Sequence, residues 1–173
     1  MLKRLLAATF LAAAFGGVAV AADAKPNDLQ IAHIAYTAGN IDVEAAQQAL
    51  TKSKNAEVLE FAKTMERDHK AVNEQALALV KKLNVTPEDN AISQSLTASA
   101  AKERETLASL DGPAFDKAYI ANEVAYHRTV NGALADTLIP SAQNAELKAL
   151  LETGLALFQQ HQAHAEHLAS TVD

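Results

Sequence analysis

Between Asn55 and Leu83 the chain sets Val58, Phe61, Met65, Val72, Ala76, Leu79 and Leu83 three and four residues apart, a spacing that lines one face of a long helix with apolar groups. His69 falls on the same stripe, about 40° round from Met65 at about 100° per residue, with Asp68 and Glu66 flanking it on opposite sides. An imidazole thus occupies a place where leucine would serve stability better. Carboxylates stand beside it.

The remaining segments repeat the helical pattern. Residues 1–22 are expected to be a cleaved secretory signal: Lys3 and Arg4 precede an uncharged run from Leu5 to Val20, and Ala19-Val20-Ala21-Ala22 offers small residues at the cut. Gly16-Gly17 weakens a retained membrane helix there. Residues 23–28 read as a mobile polar lead-in and 29–171 as one helical domain, and nothing later in the chain is apolar for long enough to span a bilayer. The expected compartment is the periplasm, with outer-membrane association as an alternative.

About 150 residues remain after processing, enough to bury a core without staples. The chain has no cysteine, which excludes disulfides, thiolate chemistry and cysteine metal sites. Its net charge of −6 becomes −8 once Lys3 and Arg4 are removed, and no basic patch opposes it, which argues against nucleic acid as a partner. All four prolines lie outside the long periodic runs, as a helical bundle requires.

A first helix is predicted over Asp28–Lys52, with Ile31, Ile34, Ala38, Ile41, Ala45 and Ala49 on one face and Gly39-Asn40 as a point where it kinks or splits. Ser53-Lys54-Asn55 is a short connection and favours an antiparallel return. Thr86-Pro87-Glu88-Asp89 has the chemistry of a helix start, and the Ser/Thr/Ala-rich stretch to Leu110 reads as a weakly buried crossover. Asp111-Gly112-Pro113 then opens a helix to Leu138, Ile139-Pro140-Ser141 ends it, and the last helix covers about Ala142–Ser170. Two short turns around one long crossover define a ferritin-like four-helix bundle, two antiparallel helix pairs with an extra crossover helix between helices 2 and 3.

Polar residues on the inner faces are the candidate site. His127 lies near the centre of its stripe with Glu123 about 40° away; His161 continues the stripe of Leu147, Leu151, Phe158, Ala165 and Leu168; His164 lies about 60° further round; Glu44 sits at the stripe's edge on the first helix. Each buried imidazole needs a partner, and one divalent ion would satisfy His69, His127 and His161 together. The rival reading is a hydrogen-bond network with Asp68 and Glu123 that only fixes helix register. Di-iron carboxylate bundles take one Glu from each of two helices and Glu-x-x-His from each of the others. Glu44, Glu123 and Glu66-x-x-His69 match three of those parts, but Phe158 stands where the fourth acid belongs, leaving only His161-x-x-His164. Such a set suits a single zinc, copper or iron ion better than an oxygen-activating pair.

Gly39-Asn40-Ile41-Asp42-Val43-Glu44, Met65-x-x-Asp68-His69, Leu110-Asp111-Gly112-Pro113-Ala114-Phe115-Asp116-Lys117-Ala118-Tyr119, Val124-x-x-His127, Glu146-Leu147-Lys148 and His161 together resemble the bacterial domain-of-unknown-function family 4142. The resemblance implies an exported ferritin-like bundle and matches Glu44, Asp68, His69, His127 and His161 to that family's polar motif. Two functional expectations follow: a periplasmic metal-binding protein for buffering or stress protection, or an envelope interaction module whose histidines are structural. No hydroxyl or thiol nucleophile stands beside a histidine base, so metal-dependent redox chemistry is the sole enzymatic reading. Val43, Leu50 and the crossover helix are the candidate surfaces for a protein partner or a second copy.

Overall fold

A computed structural model describes residues 25–172, and the expected export signal lies outside them. The described residues form helices α1 (Asp28–Lys52), α2 (Ala56–Leu83), α3 (Ala91–Ala108), α4 (Gly112–Ala133), a π-helical turn (Leu134–Leu138), the short α5 (Ile139–Ser141) and α6 (Ala145–Ala169). Among them there is no strand, and no helix is long and apolar enough to cross a membrane.

The bundle is closed by α1 against α2, α2 against α6, α6 against α4 and α4 against α1. Cross-helix pairs run in opposite directions along each seam. Gln47 Nε2 donates to Glu66 and Asn73 Nδ2 to Asn40 between α1 and α2, while Arg128 meets Glu166 and Asn131 meets Gln162 between α4 and α6. Neighbours are therefore antiparallel, which leaves α2 and α4 pointing the same way. The chain must travel back the length of the bundle between them, and the 18 residues of α3 span about 27 Å in doing so. Only Ser93 and Leu107 of α3 are buried. It is a crossover packed on α1 from outside, as its thin apolar stripe predicts.

Helix ends follow local chemistry with two corrections. Asn27, Asn55 and Asn144 cap α1, α2 and α6 by accepting from main-chain N–H groups of the first turn. The crossover, however, starts at Ala91 and not at Pro87, because Asn90 accepts from Ile92 and Ser93 while Ser93 Oγ answers the Asn90 N–H. Residues before it are drawn along α1, where Glu88 N–H bonds the Leu29 carbonyl at 3.1 Å. The second correction lies at Ile139-Pro140-Ser141, which is helical. A wide turn with Ile139 N–H on the Leu134 carbonyl carries the helix through a proline that has no N–H to give, and α6 begins at Ala145.

Gly39-Asn40 does not split α1, which is continuous from Asp28 to Lys52. The glycine is there for close approach: a Cβ would stand 2.2 Å from Asn73 Oδ1. Asn73 is buried and donates to Asn40 Oδ1 at 2.9 Å. Gly39→Ala therefore gains about 1 kcal/mol of helix propensity but displaces a buried amide worth about 1–3 kcal/mol. A net loss of about 1 kcal/mol is expected in the urea midpoint, recovered when Asn73→Ala is added. An unchanged midpoint in the single variant would show that Asn73 swings aside freely.

Two apolar clusters fill the bundle. One gathers Phe61, Met65, Leu107, Phe115, Tyr119 and Ile120; the other gathers Ile31, Ile34, Leu134, Leu138, Leu151 and Phe158. Between them, at mid-height, lies a polar layer.

Candidate metal centre

Each of the four bundle helices contributes to that layer. On α1 the inner stripe passes from Ala38 to Ala45 through Asp42, which is 1% exposed. His69 replaces an apolar residue between Met65 and Val72 of α2, Glu123 and His127 stand one turn apart on α4, and His161 lies between Phe158 and Ala165 on α6. All five are buried. The three imidazole centroids form a nearly equilateral triangle with sides of 5.6, 5.4 and 5.5 Å. Phe158 stacks on His69 at 4.4 Å and holds its plane.

The protons on these rings are assigned by their neighbours. His127 donates Nδ1–H to the Glu123 carbonyl at 3.0 Å, so its Nε2 carries a lone pair, 3.6 Å from Asp42 Oδ2. Asp68 accepts Nε2–H from His161 at 3.0 Å, leaving His161 Nδ1 bare. Arg67 holds Asp68 ionised: its Nε lies 2.7 Å from Oδ1, and this contact draws the carboxyl below its ordinary range. His69 Nε2 stands 3.5 Å from Asp42 Oδ2, too far for a good hydrogen bond. Within the layer the imidazole nitrogens left without a partner are both of His69, Nε2 of His127 and Nδ1 of His161, while the Asp42 and Glu123 carboxyls hydrogen-bond to each other.

Burial moves these groups toward neutrality. It pushes His127 down to about 4 and lowers His69 and His161. It lifts Asp42 to about 7 and Glu123 well above its ordinary value, the latter helped by the neighbouring Asp42 charge. Neutral imidazoles beside partly protonated acids form an electron-rich cavity with no cation of its own. Buried polar atoms left open in such number are costly, and a bound cation would satisfy them.

Two overlapping groups offer ligand atoms within 4.8 Å of one another: His69, His127 and His161, and Asp42, Glu123 and His127. Donors held about 2.0–2.2 Å from one ion stand at most about 4 Å apart, so a small side-chain adjustment closes either group.

Of the residues expected from sequence, His69, Glu123, His127 and His161 meet here, and Asp68 supports them from outside. Glu44, Glu66 and His164 are not brought to the layer. Glu44 is exposed and pairs with Arg104 of α3. Glu66 turns to Lys70 at 2.6 Å and to Gln47, and exposed His164 packs edge-on against Phe61. The residue missed was Asp42. Its position four after Ala38 and three before Ala45 marks it as inward, whereas Ile41, expected on the stripe, is only half-buried.

Fold and layer define a class: a ferritin-like four-helix bundle with a buried histidine–carboxylate cluster. The chain belongs to the family described as domain of unknown function DUF4142, whose model matches residues 14–168. No curated protein matches it. Among solved structures it is similar to the one titled "CopM in the Cu(II)-bound form", with a TM-score of 0.65 and 11% identity over 85% of this chain and 98% of that one. At that identity the likeness shows the fold alone.

Proposed function

We propose that this protein is an exported carrier or buffer for a divalent transition ion, held in mid-bundle by His69, His127 and His161 with Asp42 completing the set. One observation carries the reading: three imidazoles from three helices each keep at least one unpartnered buried nitrogen, and each brings a ring nitrogen within 4.8 Å of the other two. A merely structural network would instead pair those atoms with one another. Glu123 and Asp68 act from behind, fixing which nitrogen of His127 and His161 is free, as the outer partners of metal-bound histidines do. A nitrogen-rich set with a carboxylate and no thiolate suits Cu(II), the strongest binder of the divalent series, ahead of Zn(II) and Fe(II). The Cu(II)-bound title of a protein of similar fold supports that choice. Export, the basis for a periplasmic role in buffering or stress protection, rests on Lys3-Arg4, the uncharged run to Val20 and the small residues that follow.

The test is calorimetric titration of the metal-stripped mature protein with Cu²⁺ and Zn²⁺. One equivalent should bind with saturation. Asp68→Asn keeps the shape but cannot hold the imidazole proton as a carboxylate does, and should weaken affinity about 10–100-fold. Absence of saturable binding of either ion at neutral pH would sink the reading.

A further inference from the structure

A buried centre needs a way in, and two sides of the polar layer come near water. On one side a cavity of about 500 Å³, walled by Leu134, Leu138, Leu147 and Leu151, reaches His69 and His127 and opens at the exposed side chains of Leu77 and Ile92. Its lining is almost wholly carbon. A hydrated divalent ion on that route would shed its water against side chains that replace none of it, at a heavy cost in free energy.

The other side is polar. The side chains of Asp42, His69, Glu123, His127 and His161 are at most 4% exposed, whereas that of Asp68 is 17% exposed. Asp68 thus meets water and the layer at once: Oδ2 accepts from buried His161 at 3.0 Å, and Oδ1 accepts from exposed Arg67 at 2.7 Å. His161 spans the rest of the way, its ring 5.4 and 5.5 Å from those of His69 and His127. His164, the second half of the His161-x-x-His164 pair, is exposed one turn further along α6 and packs on Phe61 of α2 at 5.1 Å, so it stands on the same α2–α6 seam. Both Arg67 and His164 are near enough for their charges to lower the basicity of His161.

A cation arriving at this seam meets a carboxylate already ionised, whose partner on the water side is a guanidinium on a flexible stem. An ion pair with one partner so exposed contributes little to stability and opens at small cost. We propose that the α2–α6 seam is the loading port of the metal centre: His164 collects a divalent ion, Asp68 takes it in place of Arg67, and His161 turns to pass it to His69 and His127. The port rests on the metal reading and adds a direction of entry to it. Arg67 is its gate, a positive charge that an entering or leaving ion must displace.

The experiment mixes metal-stripped mature protein with Cu²⁺ in a stopped-flow instrument, follows the quenching of tyrosine fluorescence, and takes Kd by calorimetry. Arg67→Gln should speed association and dissociation together by about tenfold at low salt, and the effect should fade in about 1 M salt, where the screening length is about 3 Å. His164→Ala should slow both rates. Kd then changes less than either rate, whereas a residue that only orients His161 would change Kd through dissociation alone. Leu77→Lys sets a positive charge at the rim of the apolar cavity and should leave the association rate within about twofold of wild type. All three positions are exposed, so folding is not at stake. Association indifferent to Arg67→Gln and His164→Ala, or slowed by Leu77→Lys instead, would overturn the port while saturable Cu²⁺ binding kept the metal reading intact. A wild type that bound no Cu²⁺ with saturation would remove both.

Discussion

His127→Ala is expected to abolish tight metal uptake, lowering Cu²⁺ affinity by more than the roughly 10–100-fold that follows loss of an outer hydrogen-bond partner. His127 is common to both possible ligand groups, so no rearrangement of the remaining side chains replaces it. Thermal denaturation gives a second readout. With free ion at about 100 times the wild-type Kd, binding stabilises the native state by about 2.7 kcal/mol, and a variant weakened 100-fold retains only about 0.4 kcal/mol. The truncation also leaves a cavity, which costs about 2–5 kcal/mol for large-to-alanine changes in a packed core. Metal-free variant and metal-free wild type must therefore be compared first. A variant that still gained the full wild-type increment from Cu²⁺ would exclude His127 as a ligand.

Asp42→Asn should have the opposite effects on stability and on binding. Burial lifts the Asp42 carboxyl from 3.8 to about 7, so the native protein holds a proton there between those values that the unfolded chain has released. Stability contributed by that proton is present below pH 3.8 and is lost as pH rises through about 7. At about 1.36 kcal/mol per unit the loss is on the order of 4 kcal/mol at pH 8. The imidazoles act with the other sign. His127 is held at about 4 against 6.5 when unfolded, so its contribution is present above 6.5 and is lost on acidification toward 4. His69 and His161 are lowered too and add to that acid loss. In metal-free Asp42→Asn the part of the alkaline loss that belongs to Asp42 disappears, while the part from the buried Glu123 carboxyl and the acid loss of the imidazoles remain. Urea titrations should find the variant more stable than wild type at pH 8 by about 1–3 kcal/mol, allowing for an imperfectly bonded buried amide, with the gain vanishing near pH 4. Its Cu²⁺ affinity should fall. A variant less stable than wild type at pH 8 would show that Asp42 is not a strained buried acid.

A carboxylate that costs stability in the metal-free chain fits a site shaped for binding more than for folding. The same logic explains why several neighbours of the layer are devoted to orientation. Tyr126 donates its hydroxyl to the Ala38 carbonyl at 2.8 Å and ties α4 to α1 one turn from Asp42. Arg67 keeps Asp68 charged so that His161 presents one defined nitrogen.

Much of this was readable before any coordinates. The inward direction of His69, His127 and His161 follows from their place among Met65, Ile120 and Phe158 at helical spacing, and the crossover follows from two short turns around a long polar stretch. Asp42 was readable too, since it lies nearer the middle of its stripe than Ile41 does. Residues at stripe margins were not. Glu44, Glu66 and His164 lie where a side chain can turn either way, and Arg104, Lys70 and Phe61 settled their directions. The start of α3 was likewise ambiguous, because Thr86 and Asn90 both have capping chemistry and only the docking of Glu88 on Leu29 favours the later one.

Periodicity in the sequence specified how each helix is rotated about its own axis, and so which side chains enter the core; that is a local property of 3.6 residues per turn. It carried no information on how far one helix slides along another. That axial offset arises from packing between segments distant in the chain, and it alone put Asp42, His69, His127 and His161 at one height and left the carbon-lined chamber above them.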